Sequence, residues 1–279
     1  MKKCHLLFIV LISPLYIFCQ QLEVVGEVVM DSIDVQSGTI KNVADPILAQ
    51  DAATKAYVDL LQTTVDSLEI LVQDLQGVRD IDNNKYNVVT IGTQTWMAEN
   101  LKTTRYNDGT IIPLATNPTD WSTAGTNATA AYCWYDNDAS NLITYGAIYN
   151  WYAIDTLSNG SKNICPTDWH IPTDADWITL ITHLGGDAVA GGKMKEAGLA
   201  HWETPNTGAT NEAGFTSLPG GLRIANGSFF FIYTYGYWWS SLEMDSADAW
   251  LRGNVNNTST ADRLFVDKGA GISVRCLKD

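Results

Sequence analysis

Apolar and polar positions follow three different rhythms along the chain. The first is a continuous apolar run at residues 6–18 (LLFIVLISPLYIF), preceded by Lys2 and Lys3. A basic start followed by an apolar stretch of this length predicts a signal peptide over 1–19. The run is too short for a comfortable membrane span, and Pro14 interrupts it. Cleavage after Cys19 is favoured over acylation of Cys19, because Phe18 is bulky where a lipidation signal wants a small residue. No second run is long enough to cross a bilayer, so the expectation is a secreted or cell-surface protein with no span once the signal is removed. The second rhythm is helical. Val58, Leu61, Val65, Leu68, Val72 and Leu75 recur at spacings of three, four, three, four and three, with polar residues between them. This a/d stripe predicts a coiled-coil helix over 51–77, capped by Asp51 and ended by Gly77. Between these two, residues 20–50 alternate short apolar runs with Gly, Asp and Ser and read as a short β-rich stalk segment. The third rhythm is two-fold. Phe229, Phe231, Tyr233, Tyr235, Tyr237 and Trp239 share one parity, and strands are expected at 229–240, 247–252, 262–266 and 271–277.

The remaining patterns fill in the domain after the stalk. Residues 80–85 (DIDNNK) are polar and predict a hinge or boundary, placing a domain over 86–279. Residues 88–97 read as a hairpin around Gly92, and 145–154 as a short helix. The strongest helix is 174–184: Thr173 is the N-cap, Asp176 completes a capping box, and Trp177, Leu180, Ile181 and Leu184 form one apolar face before Gly185-Gly186. The fold class is α+β, an antiparallel sheet with few helices.

Two stretches resemble known families. Residues 40–46 (IKNVADP) with 51–59 (DAATKAYVD) are similar to the repeat-stalk motif of phage tail fibres and bacterial surface stalks, which are usually trimers leading into a coiled coil. Val at a and Leu at d alone lean towards two strands. A homo-oligomer is expected, with a trimer favoured over a dimer. Residues 91–101 (IGTQTWMAENL), 134–138 (WYDND), 145–152 (YGAIYNWY), Cys165-Pro166, 169–172 (WHIP), Trp239-Ser240-Ser241 and the terminal SVRCLKD closely resemble the Fibrobacter succinogenes major paralogous domain. The resemblance implies a C-type-lectin-like fold related to the formylglycine-generating enzymes. It also implies a disulfide between Cys165, just before the helix, and Cys276 in the last strand. Cys133 is then left unpaired and buried, or linked between chains.

Chemistry and charge narrow the function. The net charge of −14 argues against nucleic acid as a partner. Formylglycine generation needs a reactive cysteine pair, which this sequence lacks, and no nucleophile-elbow, metalloprotease or P-loop motif is present. Asp168 and His170 flank Trp169, but at a helix entry a structural role is favoured over acid–base catalysis. No cofactor is expected. Asp136 and Asp138, with Ser140 and Asn141, form an oxygen-rich loop that is a weak calcium candidate, more readily a turn with Asx bonds. Tyr233, Tyr235, Tyr237, Trp238, Trp250, Arg252, Asn254, Asn256 and Asn257 lie where lectin-like folds carry a variable ligand surface, and their side chains suit adaptable recognition. The expectation is a non-enzymatic binding or adhesion protein for an extracellular glycan or protein. An enzyme related to the formylglycine-generating group and a purely structural surface component are the competing classes.

Overall fold

The computed structural model describes residues 55–279. The expected signal peptide, the 20–50 segment and the Asp51 cap lie outside the described residues. The chain divides into two units, residues 1–63 and 64–279. Helix α1 (Lys55–Gln76) is the described element that includes residues of the first. It ends one residue before Gly77, as its pattern predicts. Val58, Leu61, Val65 and Leu68 along its stripe are each about half exposed. None of the described helices is long and apolar enough to cross a membrane.

The second unit is α+β. A small hairpin, β1 (Val78–Arg79) and β2 (Lys85–Tyr86), opens it. The polar segment between these strands is an ordered turn rather than the expected hinge. Asp80 accepts hydrogen bonds from the amides of Asp82 and Asn84 and, at 2.6 Å, from the Tyr86 hydroxyl. Asp82 accepts from the Thr104 amide and from the hydroxyls of Thr103 and Thr104. Both carboxylates are thus spent fixing the chain.

Then come β3 (Val88–Ile91) and β4 (Gln94–Met97), the expected hairpin, paired from Val88↔Met97 to Ile91↔Gln94. Helix α2 (Pro118–Thr126) starts on Asn117, whose side chain accepts from the Asp120 amide, with Pro118 in the first turn. Strand β5 (Tyr132–Cys133), a 3-10 turn at Tyr135–Asn137, α3 (Ala139–Tyr145), β6 (Ile148–Asn150) and α4 (Trp151–Ile154) follow. The expected helix over 145–154 is therefore three elements. Gly146 ends α3 with φ 78°, where a Cβ would lie 2.7 Å from Asn100 Cβ. Asn150 caps α4 by accepting from the Ala153 amide.

After β7 (Trp169–His170), helix α5 (Asp174–His183) carries the predicted capping box between Thr173 and Asp176, and Trp177, Leu180, Ile181 and Leu184 are buried. Helix α6 (Asp187–Met194) has no counterpart in the sequence pattern, because Gly191 and Gly192 are poor helix formers. They serve packing: a Cβ on Gly191 would collide with the backbone of Thr260, and the Gly192 amide bonds to the Ser259 carbonyl.

The chain closes with β8 (Gly220–Arg223), β9 (Phe229–Ile232), β10 (Tyr235–Glu243), β11 (Asp248–Val255), β12 (Asp262–Asp267), β13 (Gly271–Ile272) and β14 (Leu277–Lys278). Three larger antiparallel sheets result among the described residues, in the orders β3-β4-β14-β7, β5-β6-β13-β8-β9 and β10-β11-β12. Two strand expectations are corrected. The run 229–240 is broken at Tyr233-Thr234, so β9 and β10 join different sheets. The run 271–277 is two short strands, again in different sheets.

Trp134 and Trp250 excepted, the tryptophans are buried. Trp96, Trp177, Phe215 and Trp238 pack as one aromatic group, with Trp96 and Trp177 ring centres 4.8 Å apart. Arg275 lies among them, 1% exposed. Its guanidinium sits 4.1 Å from the centre of the Phe215 ring and donates to Asn100 Oδ1 at 2.8 Å and to the carbonyls of Phe215 and Thr216. Burial pulls its pKa down to about 9. Asn100 Oδ1 also accepts from Trp238 Nε1, and Asn100 Nδ2 donates to the Tyr145 carbonyl and to Ser273 Oγ. Next to Arg275, Cys276 is joined to Cys165, with Cα atoms 5.9 Å apart. Cys133 is a free, buried thiol whose pKa burial raises to about 11.

Two outcomes follow from this packing. The disulfide closes a sequence separation of 111 residues, so replacing both cysteines by alanine is expected to lower unfolding free energy by about 4–5 kcal/mol in urea titrations. Burial also raises the pKa values of Tyr86, Tyr149 and Tyr237, in Tyr86 with help from Asp80. An unfolded phenol ionises near pH ~10, so their contribution to stability is complete below that pH and is lost as pH rises above it. In an alkaline titration, tyrosinate absorbance from these residues should appear together with loss of the near-ultraviolet dichroism, not before it.

Candidate functional site

The break between β9 and β10 creates the most distinctive surface of the domain. Three aromatic residues in succession, 229–231, cannot all face one side of a strand. Phe229 turns inward and packs on Tyr135 and on the Arg223 guanidinium. Phe230, Phe231 and Tyr233 remain exposed. Phe231 and Tyr233 have φ of 69° and 68°. That left-handed conformation is a marked departure for bulky side chains. The turn is nonetheless firmly held. The Tyr233 amide donates to the Pro219 carbonyl, and the Tyr233 carbonyl accepts from the Glu203 amide at 2.8 Å. The Thr234 carbonyl accepts from the Asn256 amide, and both the Thr234 amide and hydroxyl donate to the Phe231 carbonyl.

The exposed rings run into a row. Phe230 and Phe231 are 5.8 Å apart, Phe231 and Tyr235 5.0 Å, and Tyr235 and Tyr237 5.4 Å and nearly parallel. On its other side Tyr233 meets Tyr145, whose ring packs against His201. His201 Nδ1 lies 2.9 Å from both carboxylate oxygens of Glu196. Burial, with Tyr233 and Glu196 nearby, raises the Tyr145 hydroxyl to about 12. The surface therefore combines flat apolar faces, phenol hydroxyls and a part-exposed carboxylate–imidazole pair.

The nine residues that the sequence pattern assigns to this role divide. Tyr233 is exposed and Tyr235 and Trp250 are half-buried. Asn256 spends its side-chain amide on the carbonyls of Glu203 and Thr204, and Asn257 is exposed. Tyr237, Trp238, Arg252 and Asn254 are buried and offer no open surface. Trp238 donates to Asn100, and Asn254 donates to Ser217 Oγ at 2.9 Å. The two-fold pattern hides this, because Trp238 and Trp239, of opposite parity, are both core. Phe230, Phe231, His201 and Glu196 fall outside the sequence expectation. The Phe-Phe-Phe run is the signal that could have found the first two.

The other candidates resolve into local structure. Asp138 caps α3, accepting from the amide and hydroxyl of Ser140, and Asn137 donates to the Thr116 carbonyl. Among the described residues no group of three or more His, Cys, Asp or Glu is placed to hold a metal ion. His170 borders a cleft of about 390 Å³ with Asp155, Lys162 and Ser241. Its ring nitrogens face Asp279 at 2.6 Å and Asp176 at 3.4 Å. Asp155 accepts from the Leu157 and Ser158 amides, and Lys162 donates to the Asn159 carbonyl.

Residues 89–278 match the model of the Fibrobacter succinogenes major domain. The chain belongs to this family. No curated protein and no solved structure matches it. Each run that carries the family resemblance contributes residues to the interior of the major domain, and Tyr145 in one of them also meets Tyr233 of the aromatic surface. Asn100, Trp151, Cys165, Trp169, Trp239, Arg275 and Cys276 are all buried.

If the turn aromatics serve recognition rather than stability, Tyr233→Gly should leave the unfolding free energy within about 1 kcal/mol of the parent. Relief of the left-handed conformation, worth about 1–2 kcal/mol, then offsets the packing that the phenol ring supplied. Calorimetric melting of the variant and parent tests this. A large drop in stability would mark the ring as core.

Proposed function

We propose that this is an exported, non-enzymatic binding protein in which a self-associating helical stalk presents a lectin-like major domain to extracellular glycans. The observation that carries the reading is the cluster of exposed aromatic residues Phe230, Phe231 and Tyr233, held on a pinned, strained turn beside the half-buried Tyr235. Exposed apolar patches rimmed by polar groups mark interaction sites. Aromatic faces stack on the apolar faces of sugar rings, and the Glu196–His201 pair supplies acceptors and donors for hydroxyls beside them. A rigid backbone beneath the rings lowers the ordering cost of binding.

Other features support the same picture. A disulfide suits an extracellular location. The bridge from the α5 entry to the closing strands, with helices set on antiparallel sheets, supports the C-type-lectin-like assignment. Half-exposed Val58, Leu61, Val65 and Leu68 at heptad spacing on α1 support association between copies, and the resemblance of 40–46 and 51–59 to tail-fibre stalks favours a trimer. Association would raise weak single-site binding by avidity.

The test is a glycan array and whole-cell binding screen with the full chain, beside Phe231→Ser/Tyr233→Ser and Leu61→Asp/Leu68→Asp variants. The aromatic variant should lose at least tenfold in apparent affinity with its melting temperature kept. The stalk variant should fall to monomer mass in sedimentation and lose avidity. Binding only to a protein ligand would reassign the partner, and unchanged binding by the aromatic variant would remove the surface from consideration.

A further inference from the structure

The buried cations of the domain are not equally well partnered. Arg223 donates to the carbonyls of Gly227, Ala115 and Thr116 at 3.0, 2.6 and 3.0 Å. Lys195 donates to three carbonyls at 2.7–3.0 Å. Arg252 is as deeply placed, at 4% exposure, yet its partners are distant. Its Nη1 is 3.4 Å from Asp187 and its Nη2 3.6 Å from Asp174, whereas a good charge-assisted bond is about 2.7–2.9 Å. Its buried Nε has no partner.

Arg252 also stands directly opposite Arg263 in the β11–β12 pairing. Two like charges across a strand pair are unfavourable. Arg263 is held by Asp174 at 2.9 and 3.1 Å and lies over the Trp250 ring at 3.3 Å. A cleft of about 260 Å³ opens beside both arginines, walled by Ile178, Thr182, Gly186 and Asp187. Gly186 is the N-cap of α6 and supplies no side-chain cap, and the Asp187 side chain is 74% exposed.

We propose that this cleft is a carboxylate-binding site, in which a sugar acid or similar small organic acid seats its carboxyl group on Arg252 and Arg263 and displaces Asp187 from Arg252. The guanidinium fork matches a planar, two-oxygen acceptor. Asp174 and Asp187 already balance the two arginines, so a singly charged ligand fits and a doubly charged one is repelled. Ile178 offers the carbon body an apolar wall. The site is independent of the aromatic surface. Strand alternation puts Arg252 and Trp238 on one face and Tyr237 and Gly253 on the other.

The full chain is titrated with glucuronate, glucose and sulfate by calorimetry, with melting temperatures recorded for each variant. Glucuronate should bind saturably and glucose should not. Arg263→Ala should weaken glucuronate about tenfold, the loss of one charged hydrogen bond. Asp187→Asn should tighten it several-fold, because the competing carboxylate is gone. The Arg263 side chain is part-exposed and the Asp187 side chain exposed, so the fold is expected to persist. No saturable glucuronate binding overturns the proposal. So does equal binding of glucose, tighter binding of sulfate, or an affinity that neither variant changes.

Discussion

The structure depends most on the burial of Arg275. A guanidinium removed from water costs several kcal/mol unless its donors are met. Here oxygen acceptors come from segments far apart in sequence: the side chain of Asn100 and the carbonyls of Phe215 and Thr216. Aromatic faces from Phe215 and Trp238 complete the surroundings. Misplacing any one of these segments would strand a buried charge, so the arrangement selects a single packing. The Cys165–Cys276 bridge then fixes the neighbouring residue. The family-matching runs around Asn100, Trp239 and Cys276 are thus the parts of one structural lock, which is why membership of the family identifies an architecture rather than a ligand.

With so many rings committed to the interior, those left outside carry more meaning. Phe230, Phe231 and Tyr233 sit on a turn whose backbone hydrogen bonds run to Pro219, Glu203 and Asn256. Those anchors hold the unfavourable left-handed φ values in place. Arg252 shows the same logic in charge rather than in ring stacking: a costly group kept where its needs are incompletely met. Both features border the Arg275 network: Arg252 pairs with Trp238 across β10 and β11, and Tyr233 packs on Tyr145, whose carbonyl accepts from Asn100.

Much of the scaffold is legible from local patterns. The capping box at Thr173–Asp176 and the apolar face of Trp177, Leu180, Ile181 and Leu184 are short-range signals, and the 88–97 hairpin is another. The family resemblance implies the disulfide, which composition alone leaves open. What escapes depends on distant partners. The aromatic alternation from Phe229 to Trp239 reads as one strand until Pro219 and Glu203 are seen to pin its middle. Helix α6 is hidden by glycines whose purpose is to let Thr260 approach. The DIDNNK turn looks like a hinge because its carboxylates find Tyr86 and Thr103–Thr104 only after folding. For the site, Tyr233 is exposed and Tyr235 half-buried. Burial of Tyr237, Trp238, Arg252 and Asn254 cannot be read from residue type, because the same aromatic and polar residues suit a binding face and a hydrogen-bonded core.

The placement of β13 and β14 has a consequence for how such a domain is made. These are the last strands of the domain in chain order, yet each is an interior strand: β13 lies between β6 and β8, and β14 between β4 and β7. Until they arrive, two sheets lack their middle members, and Asn100, Phe215 and Cys165 lack the residues they hold. The C-terminal segment is thus the keystone of both sheets: it joins elements laid down earlier in the chain that have no direct strand pairing with one another.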